Sequence, residues 1–124
     1  MKFIMSFIRI EKINETKKAL TEAGLDSLTA GGKVFGRGKG KYDAKVLEGV
    51  KQELPEAISV MGPEPRLRPH RLITIAVADK MVKTAVNAII SANKTDKPGD
   101  GKIFVLPLTD AVRVRTGEYG ENVI

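Results

Sequence analysis

Apolar positions along the chain switch between two periods. Residues 2–9 hold Phe3, Ile4, Phe7 and Ile8 in a nearly continuous apolar run, which predicts a strand. Over residues 12–23 the pattern changes to Ile13, Thr16, Leu20 and Ala23, one face of a helix, with Gly24 where a C-cap glycine belongs. Residues 27–35 read as a second strand, weakened by Gly31 and Gly32. Arg71–Val77, rich in branched side chains, is a clear strand. Asp79 then offers an N-cap for a helix to about Ser91, its buried stripe formed by Val82, Ala85, Val86, Ile89 and Ile90. A strand over 102–108 and a short final one over 111–115 complete the series.

The order is therefore βαβ, a long interruption, βαβ and a small extra strand. Two such units of matching length, paired side by side, predict an α+β, ferredoxin-like split βαβ sandwich: one four-stranded sheet with two helices on one face. The apolar character of its strands on both faces predicts that a second subunit covers the other side. The interruption, about 36–70, is too long for an ordinary connection in a compact domain. It opens with Gly36-Arg37-Gly38-Lys39-Gly40-Lys41 and closes on Gly62-Pro63-Glu64-Pro65-Arg66-Leu67-Arg68-Pro69-His70. Between these, residues 44–53 could form a marginal short helix. The segment reads as an interaction arm ordered by a ligand or partner.

With 124 residues, 1–124 form one domain. The apolar opening run is too short for a membrane span and is followed at once by the charged EKINETKK, so neither a signal peptide nor membrane insertion is expected. The absence of cysteine excludes disulfides and thiolate chemistry and fits a cytoplasmic location. A formal charge of +6 and a pI near 9.7 admit a basic nucleic-acid-binding module. The 5% aromatic content, without an interleaved aromatic and basic platform, counts against it.

Catalysis has little support. His70 is the single histidine, set between proline and arginine, and reads as a loop residue. A single histidine rules out a two-histidine metal site or an HExxH zincin, cysteine nucleophiles are absent, and no serine stands in a nucleophile elbow. An anion site is better founded. Gly99-Asp100-Gly101-Lys102 is a turn whose glycines allow close backbone approach and can aim N–H groups at an anion. Arg113 and Arg115, two apart on the predicted last strand, would project from one face to grip phosphate or carboxylate oxygens. The spacing is neither a P-loop nor GxGxxG, and the turn precedes a strand.

The stretch KPGDGKIFVLPLTDAVRVRTGE, residues 97–118, resembles the C-terminal signature of the PII nitrogen-regulatory proteins. Val34-Phe-Gly-Arg-Gly-Lys-Gly40, at the base of what that family calls the T-loop, extends the resemblance, as does the order of elements. The resemblance implies a non-enzymatic trimeric regulator that binds ATP or ADP between subunits and often senses 2-oxoglutarate with Mg-ATP. Carried over residue by residue, it sets Phe7 and Thr29 near the adenine or ribose and Gly36, Arg37 and Gly38 at the loop base. Gly99, Asp100, Gly101 and Lys102 would contact the phosphates, with Arg113 and Arg115 reaching in from the adjacent subunit.

Two positions depart from the family pattern. Gly38 stands where a glutamine that helps hold Mg2+ and 2-oxoglutarate is familiar, and His70 where a lysine pairs with the 2-oxoacid carboxylate. A neutral imidazole is the poorer partner at pH 7. Tyr42 lies too near the loop base to match the tyrosine modified in some relatives. The long arm and the SANKTDKPGDGKIFVLPL segment look most like the nitrogenase-associated branch. That branch implies a homotrimer or a hetero-oligomer with a PII-like paralogue, and dinitrogenase as the target. The alternative within the family is a general regulator of glutamine synthetase or ammonium transport.

Overall fold

The computed structural model describes residues 1–37 and 67–124. Strand β1 (Lys2–Ile8) leads through a single 3-10 turn into helix α1 (Ile13–Glu22), and β2 (Leu28–Gly36) follows. Strand β3 (Arg68–Val77) leads through a second 3-10 turn into α2 (Val82–Asn93), followed by β4 (Gly101–Pro107). The four strands form one antiparallel sheet in the order β2-β3-β1-β4, the split βαβ arrangement expected.

Alternation along the central strands decides which face the helices cover. Ile4 and Ile8 of β1 and Ile73, Ile75 and Val77 of β3 are buried together with Leu20, Ala85 and Ile89 from the helices. Each fully buried aliphatic side chain contributes roughly 1.5–3 kcal/mol. A polar pair pins the helices to each other inside this layer. The Asn93 amide donates to Thr16 Oγ1 at 2.8 Å and to the Ile89 carbonyl at 2.9 Å, and the Thr16 hydroxyl donates to the Lys12 carbonyl at 2.7 Å. Gly24, at φ +82, ends α1 in the left-handed conformation that glycine adopts without a Cβ penalty.

The alternate residues form the other face: Phe3, Met5 and Phe7 beside Leu72 and Ala76 of β3 and Phe104 and Leu106 of β4. Phe7 and Phe104 meet edge to face with centroids 5.9 Å apart, while Phe104 remains 47% and Leu106 39% exposed. Among the described residues neither helix lies over this face.

Several local expectations are corrected. Asp79 makes no capping hydrogen bond. Its carboxylate instead meets the Met1 ammonium at 3.1 Å and Lys2 Nζ at 3.8 Å. Hydrogen bonding to that ammonium, helped by Lys2, holds its pKa below the usual carboxylate value. Ile90, assigned to the buried stripe, is 43% exposed, and Asn93 takes the buried place one turn on. His70 is a strand residue paired with Val34, because β3 starts at Arg68 and continues the ladder with β2 as far as Gly36. Gly31 and Gly32 mark a shift of register between Ala30 and Lys33, and Arg71 Nε donates to the Gly31 carbonyl there at 2.9 Å.

The largest correction concerns the predicted final strand. Only Val112 bridges, to Tyr119, and the chain turns back at Val114–Thr116. The Gly117 N–H reaches the Arg113 carbonyl at 2.7 Å, and the Arg113 N–H reaches the Glu118 carbonyl at 2.9 Å. Gly117 takes φ +71, so the glycine in RTGE closes a tight turn where alternation alone predicts extension. Arg113 and Arg115 therefore do not share a strand face. Gly38, Tyr42 and the 44–53 helix lie outside the described residues.

Candidate functional site: a glycine turn at the sheet edge

The loop between α2 and β4 is built around one carboxylate. Asp100 accepts the Thr95 N–H at 2.7 Å, the Asp96 N–H at 3.1 Å and the Thr95 hydroxyl in a short contact. Arg9, just beyond β1, adds its Nη2 at 3.3 Å and also donates to the Pro98 carbonyl at 2.9 Å. Desolvation pushes the Asp100 carboxyl up most strongly, but the bonds from Thr95 and Arg9 together outweigh it, and the net shift is downward. The group is thus an anion at neutral pH, turned toward residues 95–96 and Arg9.

Both glycines are required by geometry. Gly101 sits at φ +114, and a Cβ there would lie 2.0 Å from the Phe7 carbonyl oxygen. Gly99 sits at φ +96, with Arg9 Nη2 3.4 Å from where its Cβ would be. The backbone of 99–101 is consequently bare and closely backed by β1, a concavity that a side chain would fill. Lys102 follows on β4, directly opposite Phe7 on β1.

The register shows which predicted residues gather. Phe7, Lys102 and the 99–101 turn lie together at the Ile8 end of β1, where Ile8 pairs with both Gly101 and Arg71. Gly36 lies on β2, three strands from β4, and pairs with Arg68, three residues beyond Arg71 on β3, with Arg37 just after it. Thr29 pairs with Thr74 in mid-sheet, three strands from β4 or about 14 Å at the usual strand spacing. Arg113 and Arg115 follow the opposite end of β4, which is seven residues or roughly 20 Å long. Arg113 pairs with Glu118 at 3.5 Å. One chain thus brings together the turn, Phe7 and Lys102, while Thr29 and Gly36 both lie on the far edge strand, with Arg37 just after it, and the two arginines follow the other end of β4.

Sequence reading missed Arg9 and Thr95. Threonine five residues before an aspartate in a turn-rich stretch is a weak signal of its own, and Arg9 reaches the turn only through β1–β4 pairing. A groove of about 480 Å³ opens beside the turn on the helix side, walled by Val86, Ile90 and Ile103 and reaching Asp100 and Lys102. Among the described residues no group of three or more His, Asp or Glu could hold a metal ion, and no helix is long and apolar enough to cross a membrane.

These features define a small α+β sandwich with a glycine turn leading into one edge strand, β4, and a long connection leaving the other, β2. The nitrogen regulatory protein P-II family matches residues 1–118, and the chain belongs to that family. It is 44% identical over 126 residues to the nitrogen fixation nifHD region GlnB-like protein 2 of Methanobacterium ivanovii, covering all of this chain and 99% of that one. It is 41% identical to the nitrogen regulatory protein P-II of Cereibacter sphaeroides, with both chains covered in full. The structure of Arabidopsis thaliana PII bound to citrate superposes with a TM-score of 0.70 at 28% identity, over 98% of this chain and 86% of that one.

Proposed function

We propose that the chain is a non-enzymatic regulator that binds ATP or ADP in clefts between the subunits of a trimer. Occupancy of the cleft sets the shape of the arm between β2 and β3, which engages or releases a target enzyme. The observation that supports this reading is that the 99–102 turn enters β4 at one end while Arg113 and Arg115 follow its other end. A second chain that supplies the arginines, and Thr29 for the base or ribose, would complete a polyanion site around the turn. The apolar sheet face, with Phe104 and Leu106 exposed, supports assembly because such a face is stable when another subunit covers it.

The bare backbone at Gly99 and Gly101 suits phosphate oxygens, with Lys102 and the arginines as charged donors. Mg2+ would enter with the nucleotide, held in part by its phosphates. Gly38 and His70 stand where relatives that use 2-oxoglutarate carry glutamine and lysine, which predicts a weak or absent response to that acid. The names of the nifHD-region relatives support a link to nitrogen fixation, and in this reading dinitrogenase is the target, a PII-like paralogue the co-subunit and the cytoplasm the setting. The second reading, a general regulator of glutamine synthetase or ammonium transport, draws on the 41% identity to the Cereibacter P-II protein.

Calorimetric titration of the purified chain with ATP and ADP, with and without 2-oxoglutarate, tests the first step. No binding of either nucleotide at millimolar concentration would refute it. Capture of a nitrogenase component, in competition with glutamine synthetase and an ammonium channel, separates the two targets.

A further inference from the structure

We propose that Arg9 is the positioning residue of the glycine turn, and that the Asp100 carboxylate is its internal anchor and makes no contact with the bound anion. This assignment rests on the reading of the turn as a phosphate site, and it changes the role of one residue within it. The Asp100 carboxylate is already engaged by the Thr95 N–H, the Thr95 hydroxyl, the Asp96 N–H and Arg9. A carboxylate has about four lone-pair sites, so all are in use before any ligand arrives. Contact with a polyphosphate would also set two anions against each other.

Arg9 acts from the other side. Its Nη2 bridges the Pro98 carbonyl and Asp100, tying both ends of Pro98-Gly99-Asp100 to the end of β1. The same nitrogen lies 3.4 Å from where a Gly99 Cβ would be, so the guanidinium backs the turn where the chain is barest. Its Nε is buried with no hydrogen-bond partner among the described residues, so its polar contacts to the turn are those of Nη2. With its charge set against Asp100, Arg9 leaves the turn close to neutral toward an incoming polyanion. It fixes the N–H groups of 99–101 in place before binding, which lowers the ordering cost of association.

The test compares wild type with Arg9→Met, Arg9→Lys and Asp100→Asn in the intact oligomer. Amide hydrogen exchange is followed without ligand, and binding of ADP and of inorganic tripolyphosphate is measured by calorimetry. Loss of a charge-assisted bridge to two acceptors predicts exchange at 95–101 faster by roughly tenfold or more in Arg9→Met, with β1 and β3 unchanged. Affinity for both probes should fall by about the same factor, and Arg9→Lys should recover part of each effect. Asp100→Asn should speed exchange in the same segment.

Unchanged exchange in Arg9→Met would overturn the proposal. So would weaker binding with unchanged exchange, which would make Arg9 or Asp100 a direct ligand contact, or faster exchange with full affinity. If wild type binds neither probe, the nucleotide reading fails; tenfold faster exchange in Arg9→Met would then still support the anchor.

Discussion

Among the described glycines, Gly101 should be the one where replacement by alanine is most damaging. Its Cβ would lie 2.0 Å from the Phe7 carbonyl oxygen, 3.1 Å from the Phe7 carbonyl carbon and 3.3 Å from Ile8 Cα. An ordinary C···O contact is about 3.3 Å, so β4 would have to retreat by about 1.3 Å from β1. All three obstructing atoms are backbone of a central strand that is also paired with β3, so no side chain can swing aside. Holding alanine at φ +114 costs of order 1–3 kcal/mol, and each buried backbone group left unpaired near Ile8 adds about 1–3 kcal/mol. With one such group the loss is roughly 2–6 kcal/mol, a large part of the 5–15 kcal/mol typical of a domain.

Gly99→Ala is the control. It shares the positive φ, at +96, but its nearest obstacle is the end of the Arg9 side chain at 3.4 Å. Its cost should stay near the backbone component alone, about 1–3 kcal/mol. Urea unfolding of wild type and both variants at one fixed protomer concentration makes the comparison, since assembly would otherwise shift the midpoints. A Gly101→Ala variant no less stable than Gly99→Ala would refute the claim that β1 backs the turn.

Two further outcomes follow from the turn and the C-terminal segment. The folded-state pKa of Asp100 is lowered, so its anchoring contributes fully above the ordinary carboxylate value, about 3.9, and is lost as pH falls through the lower folded value. The Thr95 and Asp96 amide resonances should therefore hold their positions down to that value and move below it, and Asp100→Asn should remove the transition; amides that move near pH 6 would contradict this. Arg113→Ala should abolish nucleotide binding while leaving unfolding within about 1 kcal/mol of wild type, because it breaks only an exposed pair with Glu118. Unchanged affinity would mean that the arginine lies outside the site.

Much of this fold is legible from periodicity because the central strands and both helices each show one dominant apolar pattern. Ile4 and Ile8, and Ile73, Ile75 and Val77, fall on the covered face by alternation, while Thr16 and Leu20 fall four apart on α1. Errors gather where a local signal competes with longer-range pairing. Alternation in Ala-Val-Arg-Val-Arg predicts a strand, yet Gly117 folds the segment back on Glu118 and Gly120. His70 looks like a loop residue beside Pro69, but cross-strand pairing with Val34 carries β3 past it. Gly99 and Gly101 stand out as a turn from the sequence alone. That Asp100 points inward, onto Thr95 and an arginine 91 positions away, depends on the β1–β4 register and could not be read locally.

The central claim is that the nucleotide site is shared between chains, and complementation tests it directly. Lys102→Ala and Arg113→Ala proteins are each titrated with ADP, then unfolded together, refolded as mixed oligomers and titrated again. Neither parent should bind with wild-type affinity. Mixed oligomers should regain a fraction of wild-type sites, because a cleft with the turn of one variant and the arginine of the other has both groups intact. If mixing restores no sites although the two chains co-assemble and wild type binds ADP, both groups must act within one chain, and the shared cleft is wrong.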